Sequence, residues 1–238
     1  MKMKIAVMIP MKAHSERVPN KSFRKLGRRL LSHWIVDTFN QLKAERELDI
    51  DIWANTDSDE IMDMYSKRRV KYYPRPLALR GDYTSMNNLI EDWMMRINPY
   101  DIYMQTHITN PFLSKQTIEK GLDMFMKQSG PIKQSVMGVT EHKERMYYNK
   151  QPVNFDYNNL IRTQDLTPVY EDNSCLYVFN KTIFSRNRNR VSEDPIHLPV
   201  PFPENIDIDT EDDMLIASLV AEGIFNEVEQ PNTNPNNK

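Results

Sequence analysis

The sequence predicts an α/β fold built on a mostly parallel sheet. Two observations carry this. Short apolar, partly β-branched runs alternate with segments of helical period through the first 140 residues, the pattern of successive βαβ units. The chain's 238 residues, 39% hydrophobic and 27% charged, also suit one large α/β domain with a sizeable core.

The elements follow in order. Residues 4–11 (KIAVMIPM) form an apolar run and read as a buried strand. Residues 12–25 are polar and basic and read as a loop. Leu30, Leu31, Trp34, Ile35, Thr38, Phe39 and Leu42 fall on one face of a helix over 29–42. Residues 49–54 alternate and read as a second strand. A short helix follows over 57–67, with Ser58 or Asp57 as its N-cap, then a strand over 70–73 that Pro74 ends. A helix over 84–95, a strand over 101–106, a helix opened by Ser114 and running to about residue 128, and a strand over 135–140 complete the alternation. Residues 146–168 are rich in Tyr, Asn, Gln and Pro and read as an insertion with short strands, within an insertion of about 141–170. Residues 173–179 return to the core sheet. Thr210 caps a last helix over 210–220, with Asp213 completing an acidic variant of the capping box. One domain over 1–228 is expected, with a loose low-complexity tail over 229–238.

Composition narrows the function classes. A formal net charge of −2 argues against a generic nucleic-acid binder. Yet Lys12, Arg17, Lys21, Arg24, Lys25, Arg28 and Arg29 crowd the first thirty positions, which suits an anionic small ligand. The single cysteine, Cys175, sits in an apolar run and reads as a buried strand residue; one cysteine forms no intrachain disulfide and fits a reducing compartment. No signal peptide or transmembrane stretch is apparent, so a cytoplasmic protein without membrane partners is expected.

Three segments can carry chemistry. The loop from Lys12 to Lys21 follows the first strand, and ligands of open α/β sheets bind beyond the carboxyl ends of strands. Its cations and backbone N–H groups suit a triphosphate, although it matches neither a Walker A loop nor GxGxxG. Its plainer reading is a solvated basic loop. In Asp207-Ile208-Asp209, positions i and i+2 share a side of an extended chain. The two carboxylates can share a hard cation such as Mg²⁺, or Asp209 and Thr210 merely cap the helix. Gln105 to Pro111 closes a central strand where a substrate would sit, or forms only a turn. His107 has no visible partner and reads as a structural histidine rather than a general base. The five histidines lack zinc-ligand spacing, and no GxSxG or Cys–His signature is present.

Together these segments resemble the acylneuraminate cytidylyltransferase family, the CMP-sugar synthetases of nonulosonic acids. Lys12-Ala13-His14-Ser15-Glu16-Arg17-Val18-Pro19-Asn20-Lys21 resembles the family's Arg-x-Gly-Ser-Lys-x-x-Pro-x-Lys-Asn loop. Arg75-Pro76-Leu77-Ala78-Leu79 with Asp82-Tyr83-Thr84-Ser85 resembles Arg-Pro-x-x-Leu…Asp-Thr-x-Ser. Gln105 to Leu113 resembles Gln-Pro-Thr-Ser-Pro-Leu, Glu171 to Phe179 resembles Glu-Asn-Gly-x-x-Tyr, and Asp207 to Asp213 resembles Asp-Ile-Asp-Thr-x-x-Asp. The five segments keep the family's order over nearly the whole chain.

The resemblance implies a three-layer, Rossmann-like nucleotidyltransferase fold with a small dimerisation insertion. It implies transfer of CMP from CTP to an acidic 2-keto sugar, with release of pyrophosphate. Lys12, Ser15, Arg17, Lys21 and Ser22 would bind the triphosphate, with Arg17, Lys21 and Asp209 as the catalytic set. Arg75 and Ser85 would face the nucleoside. Gln105, His107, Asn173 and Tyr177 would contact the sugar, and Arg162 would pair with its carboxylate. Asp207 and Asp209 would hold Mg²⁺. A homodimer is implied, with Tyr147, Tyr148, Phe155 and Tyr157 of the insertion at its interface.

The chain departs from the family pattern at Lys12 (Arg in the family), His14 (Gly), Ser22 (Asn) and Ser174 (Gly). The sugar side departs more than the metal side, so the acceptor stays open. So do two other readings: a nucleotidyltransferase acting on a sugar phosphate, and a non-catalytic nucleotide-binding relative.

Overall fold

A computed structural model describes residues 3–12, 15–46, 48–81, 83–130 and 132–229. His14, Asp82 and the tail beyond 229 lie outside the described residues. The chain runs β1 (Lys4–Pro10), a 3₁₀ turn (Lys21–Phe23), a tiny ribbon of β2 (Lys25–Leu26) and β3 (Arg29–Leu30), α1 (Leu31–Arg46), β4 (Asp49–Thr56), α2 (Asp59–Tyr65) and β5 (Val70–Pro74). It continues through α3 (Met86–Arg96), β6 (Ile102–Gln105), α4 (Lys115–Met126), β7 (Val136–His142), the paired β8 (Tyr147–Tyr148) and β9 (Gln151–Pro152), β10 (Val169–Phe179), α5 (Lys181–Asn187), β11 (Ile196–Pro199) and α6 (Glu211–Glu229).

Seven strands form the central sheet in the order β11-β7-β10-β6-β1-β4-β5. All run parallel except β10, which is antiparallel to both β6 and β7. The runs KIAVMI and IYMQ are apolar because they lie at the middle of the sheet, covered by helices on both faces. Ile5 to Ile9 are at most 1% exposed. On one face, Trp93 of α3 meets Tyr103 edge-on, and Tyr103 stacks on Phe179 of β10. On the α4 side, Gly121 lets the helix approach closely: a Cβ there would lie 2.9 Å from a Leu198 methyl.

The helix starts obey simple capping chemistry. Ser58, Ser85 and Ser114 each accept a hydrogen bond from the backbone N–H three residues on. Thr210 and Asp213 exchange bonds at the start of α6: Asp213 N–H donates to Thr210 Oγ1, and Thr210 N–H donates to Asp213 Oδ2. Cys175 is fully buried in β10. Several boundaries differ from expectation. Residues 25–26 and 29–30 pair as a ribbon, so the first helix starts only at Leu31 and the loop is shorter than read. The third helix starts at Met86, because Ser85 is its cap rather than an interior residue. The returning strand begins at Val169, and α6 runs on to Glu229. Helix α5 and strand β11 fall where no element was expected; both are short, and their apolar residues show no full period.

A second, smaller core lies beside the sheet. Leu26, Leu31, Trp34 and Phe112 meet Ile208 and the inner face of α6 at Met214, Ala217 and Ala221. This cluster fixes the segment before α6 against the loop after β6, and so positions the candidate site. Among the described residues, no helix is long and apolar enough to cross a membrane.

Candidate active site

The strand order reverses at β1: the chain moves from β1 outward through β4 and β5, then returns to β1's other side as β6. Such a switch point opens a crevice at the carboxyl ends of the strands, because the two following loops leave in opposite directions. A cavity of about 350 Å³ lies there. Its walls are Pro10 to Lys12, Ser15 to Arg17, Lys21 and Ser22 on the β1 side, and His107 to Thr109 on the β6 side. The structure therefore brings together Lys12, Ser15, Arg17, Lys21, Ser22 and His107.

The acidic pair arrives from the far end of the sequence. Ile208 N–H donates to Thr109 O at 2.9 Å, and Asn110 Nδ2 donates to Ile206 O. Ile208 is fully buried in the smaller core, so the alternation of an extended chain turns Asp207 and Asp209 away from it. Lys21, only 9% exposed, donates through Nζ to Ile208 O and to Asp209 Oδ1 at 3.4 Å. Arg17 reaches the same carboxylate oxygen at 3.0 Å. Asp209 N–H is held by Asp213. Asp207 Oδ1 is buried with no hydrogen-bond partner among the described residues. Burial pushes the Asp207 carboxyl above its ordinary pKa, and the neighbouring Asp209 charge adds to the rise, against the Thr109 hydrogen bond.

Of the other expected site residues, Arg75, Ser85, Asn173 and Arg162 do not line this cavity. Arg75 is 2% exposed; its guanidinium donates to Asn55 Oδ1, Asn55 O and Met11 O, which braces the start of the basic loop. Burial lowers its pKa. Ser22 Oγ donates to Lys12 O across the loop. Ser85 is engaged as the α3 cap. Asn173 bridges β10 to Thr140 and accepts from Cys175 N–H. Arg162 lies apart, in the insertion, exposed and bonded to Asp165.

Gln105 and Tyr177 are opposite residues of β6 and β10 and so face the same side. Gln105 Nε2 donates to Thr106 O and is in hydrogen-bond contact with His107 Nε2 at 2.7 Å. Tyr177 donates to Asp172 Oδ1 at 2.6 Å, and the Arg190 guanidinium lies 4.1 Å over its ring. Ser174, where the family pattern has glycine, takes a left-handed backbone (φ 57°), with its N–H bonded to Asp172 Oδ1. Sequence reasoning missed the backbone role of Thr109, the Asp172 contact and Arg190. An Asx turn is suggested by Asp172-Asn173-Ser174, whereas no motif marks Arg190.

Lost hydration, then the charge of Arg190, hold the His107 pKa down to about 4. Its native pKa lies below the unfolded value of 6.5. The unfolded chain thus binds more protons between these values, and His107 contributes stability above pH 6.5 that is lost as pH falls towards 4. The variant His107→Gln is expected to flatten this acid limb of a melting-temperature profile. A limb of unchanged slope would show that the histidine is not held neutral.

The cytidylyltransferase family model matches residues 6–207. An N-acylneuraminate cytidylyltransferase of Streptococcus agalactiae serotype V is 20% identical over 220 residues, covering 90% of this chain and 52% of the relative. The chain thus spans about half the length of that curated relative. A CMP-N,N'-diacetyllegionaminic acid synthase of Legionella pneumophila is 25% identical, covering 92% of this chain and 97% of the relative. Among solved structures, a 4-diphosphocytidyl-2C-methyl-D-erythritol synthase from Anaerococcus prevotii superposes with a TM-score of 0.64 at 18% identity, covering 92% of this chain and 96% of its own. A CMP:2-keto-3-deoxy-manno-octonic acid synthetase complexed with CTP gives 0.63 at 13%, covering 92% and 99%. At these identities the two structures speak for the fold.

Proposed function

This chain belongs to the cytidylyltransferase family, and from that premise we propose that it transfers CMP from CTP to an acidic 2-keto sugar of the nonulosonate kind, releasing pyrophosphate. The observation that carries the reading is the meeting of Lys21 and Arg17 with Asp209 at the cavity of the switch point, beside the buried Asp207 Oδ1, which has no partner among the described residues. Cations alone would suit any polyanion. Cations interleaved with two carboxylates suit a polyanion that arrives with a divalent ion.

The residues fit Mg²⁺. The ion commonly takes only one or two protein carboxylates and completes its shell with water and phosphate oxygens. Asp207 has a buried oxygen without a partner, and among the described residues no third acidic, histidine or cysteine ligand joins the pair. Asp207 and Asp209 would hold Mg²⁺, which when bound supplies positive charge at the α-phosphate. The chain's own groups do the rest. Lys12, Ser15, Ser22 and the loop N–H groups bind the triphosphate. Lys21 and Arg17 place charge where pyrophosphate leaves. The acceptor's anomeric oxygen attacks the α-phosphorus as the bond to the β-phosphate oxygen breaks. Arg75 keeps the loop at its height above the sheet, and Ser85 stands at the nucleoside side. Gln105 and Tyr177 form the acceptor floor with Asn173 behind them. His107 orients Gln105 through the contact of its Nε2 with the amide.

The test is pyrophosphate release, measured with each of the four NTPs, with and without Mg²⁺, over a panel of acidic sugars and sugar phosphates. The reading expects CTP, Mg²⁺ and an acidic sugar together. Turnover only with a sugar phosphate would replace the acceptor, and CTP binding without any turnover would leave a nucleotide-binding relative.

The insertion supports a homodimer. Tyr147, Tyr148 and Tyr157 expose 56%, 73% and 68% of their surface, and Phe155 packs its ring against Tyr147 and Tyr157. Light scattering is expected to give twice the chain mass of 28.2 kDa. A single-chain mass at micromolar concentration would remove the dimer from the proposal.

A further inference from the structure

One cation close to the site is used by nothing described so far. Arg190 follows α5, and its guanidinium carbon lies 4.1 Å from the centroid of the Tyr177 ring. Asn87, in the first turn of α3, accepts from both its backbone N–H and its Nη1 at 3.4 Å. Its Nε is buried and has no hydrogen-bond partner among the described residues. Nor does any carboxylate among the described residues form an ion pair with it, whereas Arg17, Arg24, Arg46, Arg68, Arg96, Arg162 and Arg188 each have one.

A part-buried guanidinium without an anion is costly, because desolvation is incurred and its long bond to the neutral Asn87 offsets little of it. The cation–π contact offsets some of this cost. With the Asn87 bonds it restrains the side chain, so less freedom is lost when a ligand binds. A fork so prepared matches a carboxylate better than an ammonium would. Its position is selective too. Tyr177 is opposite Gln105 in the sheet, and Gln105 bonds His107 in the cavity wall. Lys21 and Arg17 belong to the loop on the β1 side of that cavity. Arg190 therefore offers a second anion site, displaced from the loop cations. An acceptor that is itself an anion needs one, since it must approach a triphosphate that repels it. Arg162, which the resemblance assigned to this task, is exposed in the insertion and already bonded to Asp165.

We infer that Arg190 is the specificity-determining residue of the acceptor subsite, its guanidinium pairing with the carboxylate of the acidic sugar. This rests on the proposed transfer to an acidic acceptor. The test compares the native enzyme with Arg190→Met and Arg190→Lys in pyrophosphate release, varying N-acetylneuraminic acid, N,N'-diacetyllegionaminic acid or 2-keto-3-deoxy-manno-octonic acid at saturating CTP. Arg190→Met is expected to raise the acceptor KM about 10- to 100-fold, the span of a charge-assisted hydrogen bond. The CTP KM should stay within about twofold, and Arg190→Lys should recover part of the loss. An unchanged acceptor KM in Arg190→Met overturns the inference, and so does an equal loss towards CTP. If the native enzyme turns over none of the acids, the transfer reading itself fails. Saturation-transfer NMR with the same acids then decides the arginine's role. Weaker binding to Arg190→Met than to native protein upholds the carboxylate site, and equal binding or no binding to either overturns it.

Discussion

Asp209→Ala is expected to lower pyrophosphate release by at least about a hundredfold, the scale seen when one preorganised electrostatic group is taken from a reacting centre. The same substitution should leave the fold intact. The Asp209 side chain is 40% exposed, and its partners Arg17 and Lys21 reach it from the rim of a cavity. Ion pairs of that exposure contribute little stability. What anchors the segment is Ile208, fully buried, together with the backbone bonds Ile208 N–H to Thr109 O and Asp209 N–H to Asp213. None of these is touched by the substitution. Circular-dichroism melting alongside the activity assay separates the two effects. Near-native turnover in a normally melting variant would remove Asp209 from the metal and catalytic roles given to it. Asp209→Asn should fail as Asp209→Ala does, because the amide keeps the shape and loses the charge.

Lys21→Met is the second large effect. The methionine keeps most of the buried stem and removes the ammonium, so packing is largely preserved while the charge disappears. The CTP KM should rise about 10- to 100-fold, as expected for loss of a charge-assisted contact in a shielded position. Lys21 is 9% exposed, so water cannot readily replace the lost charge. Arg17, at 66% side-chain exposure, is better screened, and Arg17→Ala should cost CTP binding less. CTP titration of the two variants at low and high salt checks the order. An unchanged CTP affinity in Lys21→Met would count directly against the loop as the triphosphate site.

Why some of this was legible from residues and some was not has a physical basis. The central strands could be read because a strand buried on both faces must be apolar throughout, as in KIAVMI. The acidic pair could be read because period-two geometry needs only the neighbours Asp207, Ile208 and Asp209. The single antiparallel strand was not legible: β10's residues look alike in either direction, and its orientation depends on a 26-residue approach through the insertion. Nor was the burial of Arg75. Its sequence context is a polar turn, yet the ends of β1 and β4 close over it and its guanidinium bonds Met11 O and Asn55 O. Arg190 was silent because its meaning comes from a ring 13 positions upstream, brought beneath it by α5.

The irregularity in β10 has a wider consequence. Between Asp172 and Tyr177 the strand advances five residues while its partner β7 moves from Val139 only to Met137. The surplus is taken up by the tight Asp172–Ser174 turn, and the sheet keeps register on either side. Lineages can therefore lengthen, shorten or recompose this stretch without re-pairing the central strands. On the proposed reading, the residues assigned to the acceptor can then change while those assigned to the nucleotide, braced by Arg75 and Ile208, stay in place.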